Sequence, residues 1–72
     1  METFPITTEY IKLQDLLKLA ALVSTGGEAK LAIEIGEAAV NGAVCTQRGR
    51  KVYAGDVVTF RGHELTAAYA DR

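Results

Sequence analysis

Three cationic residues lie close together in a stretch of the chain that has no acidic residue. Arg48, Arg50 and Lys51 flank a glycine, and no Asp or Glu occurs between Glu37 and Asp56. Guanidinium and ammonium groups on a loop of this kind can extend to phosphate oxygens. A solvated loop that keeps the chain soluble would explain the same three charges. The cluster therefore indicates phosphate binding only if other residues share its surface.

A glycine pair at the start of a predicted helix is a second candidate anion site. The run Thr25-Gly26-Gly27-Glu28 matches a capping box, in which the Thr oxygen accepts from a free amide and the Glu reaches back. Free amides and the helix dipole favour a negative charge there, and the glycines would let a phosphate approach. Alternatively, the glycines only allow a sharp entry and close helix packing, while Glu28 satisfies the cap.

Candidates for catalysis or metal binding are few. His63 is the only histidine and follows Gly62 in a turn pattern, which favours an exposed or capping position over acid–base chemistry. Cys45 is the only cysteine, so a buried core position is favoured over a nucleophile, a disulfide or a structural zinc ligand. We therefore expect no enzymatic activity, no metal and no cofactor. The three tyrosines are scattered along the chain at Tyr10, Tyr53 and Tyr69. We assign them mainly to packing instead of base stacking.

The size and charge of the chain limit what it can do. Its 72 residues allow one small domain with little room for a deep catalytic cavity. A net charge of −1 excludes a polycation that coats any nucleic acid, so anion binding must come from local charge. The longest strictly apolar run covers residues 19–23 and no basic, apolar leader is present. We therefore expect a cytoplasmic protein without a membrane partner.

The elements that must position these residues follow from local patterns. Residues 1–8 combine Pro5 with threonines and show no period, which predicts a flexible N-terminal tail before a single domain over residues 9–72. Apolar residues at helical spacing predict a first helix over residues 13–21. A second helix begins at the capping box and ends at Gly36. We expect these two short amphipathic helices to pack against each other.

The second half of the chain has the pattern of strands and tight turns. Asn41-Gly42 between apolar residues predicts a hairpin, because its two-residue turn needs positive φ. Residues 47–51 predict a loop, residues 54–56 and 61–63 turns, and residues 57–60 and 65–69 strands. The predicted fold is α+β, with two packed helices followed by a small antiparallel sheet.

Several short motifs occur in a particular order along the chain. They are Lys12-Leu13, Leu16-Leu17-Lys18-Leu19-Ala20, Ser24, Glu28-Ala29-Lys30, Gly36, Val40-Asn41-Gly42, Arg48-Gly49-Arg50-Lys51 and Gly55-Asp56. Their order and identity resemble the S-four RNA-binding domain, which is named after the fourth protein of the small ribosomal subunit. The resemblance covers residues 9–62 and is greatest to the small stand-alone bacterial members of the YbcJ or YaaA type.

The resemblance implies an S-four-like alpha-L motif and a ribosome-associated, non-enzymatic module. Such a module binds structured or double-stranded RNA, either ribosomal or transfer RNA, through a basic face of two helices and a loop. The partner would be RNA instead of a small-molecule substrate, and we expect a monomer. The RNA-binding positions that the resemblance implies are Lys12, Lys18, Ser24, Thr25, Gly26, Gly27, Lys30, Asn41, Arg48, Arg50 and Lys51.

A second hypothesis is a protein-interaction adaptor that retains the RNA-binding scaffold. The net acidity and the apolar residues Leu19 and Val23, which lie off the helical stripe, favour it. A large exposed apolar patch together with a discontinuous positive surface would support the adaptor. An enzyme fragment is a third class, because related domains occur attached to pseudouridine synthases and transfer-RNA synthetases. This chain contains no such catalytic domain.

Overall fold

The computed structural model describes residues 2–70, and the predicted α+β class is confirmed. Two helices and seven strands make up this part of the chain. In chain order they are β1 (Glu2–Ile6), β2 (Tyr10–Lys12), α1 (Leu13–Leu19), α2 (Gly26–Glu34), β3 (Ala38–Val40), β4 (Ala43–Val44), β5 (Lys51–Tyr53), β6 (Val57–Phe60) and β7 (His63–Tyr69). Neither helix within residues 2–70 is long and apolar enough to cross a bilayer.

Five strands form a mixed sheet instead of the predicted antiparallel one. Its order is β1-β7-β6-β3-β4, and β1 runs parallel to β7 while the other neighbours are antiparallel. The flexible tail predicted over residues 1–8 is therefore wrong for Glu2–Ile6, where pairing with β7 buries Ile6. Pro5 is compatible with β1 because β1 is an edge strand. Met1, the first residue of the predicted tail, lies outside the described residues. So do residues 71–72, the last two of the predicted domain.

Two tight turns organise the antiparallel part of this sheet. The predicted turn at Asn41-Gly42 is confirmed, with φ of 52° and 86°. Arg61-Gly62 makes an equivalent turn between β6 and β7, with φ of 48° and 84°. Positive φ at both central residues matches the twist of the flanking strands. These turns therefore fix the register of β3 with β4 and of β6 with β7.

The two helices pack against each other through the predicted apolar stripes. Leu13, Leu16 and Leu17 of α1 are fully buried, and they belong to one apolar core with the α2 and sheet residues. Helix α1 ends at Leu19, two residues earlier than predicted. It ends there because Ala21 adopts a φ of 61°, which stops the helix in a Schellman arrangement.

A separate two-stranded ribbon consists of β2 and β5. The two strands are antiparallel, with Tyr10 opposite Tyr53 and Lys12 opposite Lys51. Val52 in the middle of β5 is fully buried, so the ribbon has one face on the core. Lys51 therefore begins a strand, and the loop predicted over residues 47–51 is confirmed only as far as Arg50. Because β2 leads directly into α1, the ribbon adjoins the start of that helix.

Candidate nucleic-acid interface

The start of α1 is capped by the main chain of residues 47–50, which contain Arg48 and Arg50 and which we call the basic loop. Lys12 occupies the N-cap position but its side chain makes no capping hydrogen bond. Instead, the amide of Leu13 donates to the carbonyl of Arg50 at 2.8 Å, and the amide of Gln14 donates to that of Arg48 at 3.1 Å. The first amides of a helix have no partner within the helix, so these carbonyls satisfy them. The loop is thereby held against α1 while both arginine side chains stay exposed.

The ribbon brings a third and a fourth cation to the same place. Lys12 and Lys51 are cross-strand neighbours, and both side chains are exposed. Tyr10 and Tyr53 share this outer face, because every second residue of a strand points to the same side. Their ring centroids are 5.9 Å apart, and the Lys51 Nζ lies 4.8 Å from the centroid of Tyr10. The outer face of the ribbon therefore combines two ammonium groups with two aromatic rings.

A cleft beside the ribbon joins this face to α1. Its volume is about 370 Å³, and its lining residues are Thr8, Tyr10, Ile11, Lys12, Asp15, Lys18 and Leu19. Lys18, in the last turn of α1, thus shares a cleft with Lys12 at the start of the helix. The cleft has an apolar wall from Ile11 and Leu19 and a polar rim of lysines. We call Lys12, Lys18, Arg48, Arg50 and Lys51 the basic face.

Most cations of the basic face lack an acidic partner. Arg48 is the exception, because its Nη1 lies 3.3 Å from Oε2 of Glu34, with both side chains about half exposed. A surface ion pair of this kind contributes only about 0–1 kcal/mol, so a phosphate can replace the glutamate. The cations that belong to none of the ion pairs between residues 2–70 are Lys12, Lys18, Lys30, Arg50 and Lys51.

Lys30 extends the basic face onto α2. Lys30 and Glu34 are four residues apart on this helix and so lie on the same side of it. Glu34 is the residue that contacts Arg48 of the basic loop. The side of α2 that bears Lys30 therefore adjoins the loop, and Lys30 stays a predicted RNA contact.

The junction between the helices forms the predicted capping box. Thr25 Oγ1 accepts a hydrogen bond from the amide of Glu28 at 3.1 Å, and Glu28 Oε1 accepts one from the amide of Ser24 at 2.9 Å. The carboxylate of Glu28 thus occupies the position at the start of α2 where the helix dipole favours an anion. The amide of Ser24 and the hydroxyl oxygen of Thr25, two of the predicted RNA-binding positions, therefore already have partners within the chain.

The remaining junction residues are open to solvent. Gly26 and Gly27 are exposed, and a Cβ atom added to Gly26 would meet nothing within 4 Å. Close helix packing therefore does not require these glycines, and they stay predicted RNA contacts. The nearest ionic contacts involve Arg61, which pairs with Glu28 and with Glu37. The hydrogen bond to Glu37 raises the pKa of Arg61.

Asn41, another predicted RNA contact, has a structural role in the sheet. Its Oδ1 accepts from the amide of Val57 at 2.9 Å, and its Nδ2 donates to Oδ1 of Asp56 at 3.1 Å. One amide hydrogen is left for a ligand, because the NH₂ group carries two. The pKa of Asp56 is lowered, chiefly by the hydrogen bond from the amide of Tyr53 and further by Asn41 and the charge of Arg50.

The two residues considered for catalysis lie in different surroundings. His63 is exposed at the first position of β7. Cys45 is buried, and its thiol contacts the carbonyl of Gln47 at 3.6 Å, as a core position predicts. Within residues 2–70, no three metal-binding side chains come together.

The tyrosine pair is the feature that sequence reasoning missed. Tyr10 and Tyr53 were assigned to packing because they are far apart in the chain, yet the ribbon places them side by side. The only local trace of this arrangement is the mirrored alternation of Tyr-Ile-Lys in β2 and Lys-Val-Tyr in β5. Runs of three residues are too short to identify the strand with which they pair.

Sequence comparison places the chain in a family. Residues 4–67 match the family model described as S4 domain. The chain belongs to the S4 domain family. YbcJ from Escherichia coli (strain K12) is 41% identical over 66 residues, which cover 90% of this chain and 94% of YbcJ. RlbA from Bacillus subtilis (strain 168), named a "probable ribosome maturation protein", is 46% identical over 57 residues, 79% of this chain and 80% of RlbA.

Solved structures agree with this S4 domain assignment. The solution structure of E. coli YbcJ has a TM-score of 0.73 at 39% identity and covers 94% of this chain and 87% of that chain. It is described as revealing an alpha-L motif involved in RNA binding. Ribosomal protein S4e from Thermoplasma acidophilum has a TM-score of 0.69 at 22% identity and covers 90% of this chain and 34% of that chain. This second likeness concerns the fold alone.

Proposed function

We propose that this S4 domain is a non-enzymatic module that binds structured RNA, ribosomal or transfer RNA, through its basic face. The observation that carries the proposal is the tertiary cap of α1. The carbonyls of Arg48 and Arg50 accept hydrogen bonds from the first amides of α1, which holds a cationic loop against a helix whose N-cap is Lys12. The description of YbcJ as having an RNA-binding motif and the ribosomal name of RlbA support the same conclusion.

The repulsion within the basic face gives a physical reason for a polyanionic partner. Lys12 and Lys51 lie directly opposite each other in an antiparallel pair, and like charges in this position destabilise the pairing. A phosphate between the two ammonium groups would turn this cost into a favourable contact. Duplex RNA offers phosphates and 2′-hydroxyls across a wide, shallow groove, which a compact charged surface can reach.

Binding of this kind depends steeply on salt. Each phosphate that a cation neutralises releases counterions, so about five contacts give a slope of roughly −3 to −5 in log K against log salt. Contacts to phosphates and sugars carry little sequence information. We therefore expect tight binding at low salt, weak binding at high salt and slight sequence preference.

The test is fluorescence anisotropy with a labelled RNA hairpin at low and high salt. The variant Arg50→Glu/Lys51→Glu reverses two charges of the basic face and should weaken binding by at least about a hundredfold at low salt. Arg61→Ala is the matched control, because it removes a cation that pairs with Glu28 and Glu37. Undetectable binding of the unaltered protein at low salt, or equal binding by the double variant, would reject the proposal.

The class of RNA needs a separate experiment. Crosslinking the protein to RNA in cells, followed by sequencing of the recovered fragments, distinguishes ribosomal from transfer RNA. The Arg50→Glu/Lys51→Glu variant serves as the background control, because it reverses two charges of the basic face and keeps the Arg50 carbonyl that caps α1. Fragments recovered equally with both proteins would not be specific partners.

Exposed apolar residues of α2 favour a second candidate function, a protein-interaction adaptor. Leu31 lies in α2 and Ile35 is the C-cap residue of that helix, and they are 61% and 62% exposed. These residues are not part of the basic face, so the two candidates can be separated. Leu31→Gln/Ile35→Gln should leave hairpin affinity unchanged. Loss of cosedimentation with ribosomes in that variant would favour the adaptor, and unchanged cosedimentation would favour direct RNA binding.

A further inference from the structure

The outer face of the β2–β5 ribbon carries aromatic surface that the core does not use. Tyr53 is 42% exposed, and Tyr10 is half-buried at the mouth of the cleft. The two rings are tilted by 53°, so they do not stack on each other. Lys51 Nζ lies over the Tyr10 ring, 4.8 Å from its centroid, so a flat ligand would use the part of the ring that lines the cleft. Exposed aromatic surface next to a concave site is typical of recognition surfaces.

The chemistry of the cleft matches the parts of a nucleotide. Ile11 and Leu19 supply an apolar wall beside Tyr10, while Lys12 and Lys18 supply positive charge at the rim. The cleft volume of about 370 Å³ lies within the range of small-molecule sites, which begins at about 300 Å³. An apolar peptide would use the wall but would leave these cations without partners.

Asp15 is the one acidic residue among those that line the cleft. It takes part in none of the ion pairs between residues 2–70. A carboxylate repels phosphate but accepts hydrogen bonds from exocyclic amino groups of bases and from ribose hydroxyls. Its position beside Tyr10 therefore favours a base or sugar in the cleft and places the phosphates toward the lysines.

We propose that the cleft binds one unpaired nucleotide of the RNA, with its base stacked on Tyr10 and its flanking phosphates on Lys12 and Lys18. This inference rests on the proposed RNA-binding function and adds a preference to it. Stacking on aromatic side chains requires a base that is free of its own helix. The protein therefore selects RNA in which a bulge or a helix end exposes a nucleotide next to a duplex.

The experiment compares two hairpins that differ only in one bulged nucleotide. The unaltered protein should bind the bulged hairpin about 5- to 150-fold more tightly, which is the range expected for one base stacked on an aromatic residue. Placing 2-aminopurine at the bulge gives an independent readout, because its fluorescence falls when the base stacks. Equal affinity for both hairpins would overturn the inference and leave the proposed function intact. Failure to bind either hairpin would overturn both.

Variants of the tyrosines identify the ring as the cause. Tyr10→Phe keeps the ring and should keep the preference for the bulge. Tyr10→Leu keeps apolar bulk and should lose the preference while retaining affinity for the paired hairpin. Tyr69→Leu is the matched control, since Tyr69 is 60% exposed on β7 outside the cleft. A Tyr10→Leu protein that still prefers the bulged hairpin would contradict the inference.

Discussion

The two helices of this S4 domain begin in different ways. One start is completed by nearby side chains, and the other is completed by a loop that carries candidate RNA-binding residues. Helix α2 is capped locally, by the side chains of Thr25 and Glu28. Helix α1 is capped by carbonyls of Arg48 and Arg50, which come from a loop far along the chain. A local cap completes a helix and needs nothing else. A cap from a distant loop also attaches the side chains of that loop, and here they are cations.

The largest expected effect comes from removing the core residue at the start of α1. Leu13 is fully buried, and its amide donates a hydrogen bond to the carbonyl of Arg50. Leu13→Ala should cost about 2–5 kcal/mol of unfolding free energy, because it leaves a cavity. Urea denaturation measures the loss. Leu31→Ala, at an exposed position of α2, should stay within about 0.5 kcal/mol. Similar costs for the two variants would show that the α1 start is not a core site.

A smaller effect concerns Asp56, which anchors the strand that follows the basic loop. Its carboxylate accepts from the amide of Tyr53 at 2.9 Å and from Asn41. Asp56→Asn should cost about 1.5 kcal/mol at neutral pH, the lower end for hydrogen bonds to a charged group.

The pH dependence of stability tests the same carboxylate. Folding lowers the pKa of Asp56, so its stabilisation is complete above the ordinary value of 3.8 and is lost as the pH falls through the lowered pKa. Melting temperatures of the unaltered protein and of Asp56→Asn should therefore converge on acidification. A constant difference between the two proteins down to the lowest pH would contradict this assignment.

Two single variants, one at each helix start, test this difference. Thr25→Ala removes the local cap and should cost about 1 kcal/mol, with little change in RNA affinity. Lys12→Ala should change stability by less than about 0.5 kcal/mol, since this side chain caps nothing, but should weaken RNA binding. Thermal melts and anisotropy titrations of both variants provide the measurements. If Lys12→Ala destabilised more than Thr25→Ala, the comparison between the two starts would fail.

The smallest expected effect concerns the helix ends. Both helices stop with a residue at positive φ, Ala21 after α1 and Gly36 after α2. A left-handed conformation costs a residue with a Cβ about 1–2 kcal/mol. Ala21→Gly should therefore stabilise by about 0.5 kcal/mol after the greater chain entropy of glycine is subtracted. Gly36→Ala should destabilise. A loss of stability in Ala21→Gly would show that its methyl group contributes packing.

Local patterns predicted much of the framework. The capping box, the Asn41-Gly42 turn, the β6 strand and the buried face of α1 are each encoded within a few residues. The parallel pairing of β1 with β7 was missed, because it joins the two ends of the chain and β1 contains Pro5. The ribbon was missed for the same reason, since three-residue strands carry too little pattern to identify a distant partner.

The identity of the cations and the sites of tight turning are properties of the amino-acid sequence, because charge and backbone preference belong to individual residues and their neighbours. Which cations share a face is not such a property. Lys12 lies opposite Lys51, and Tyr10 opposite Tyr53, only because β2 pairs with β5. The basic loop lies beside them because its carbonyls cap α1. Contacts between distant segments depend on how the whole chain packs, and that packing assembles the candidate RNA surface.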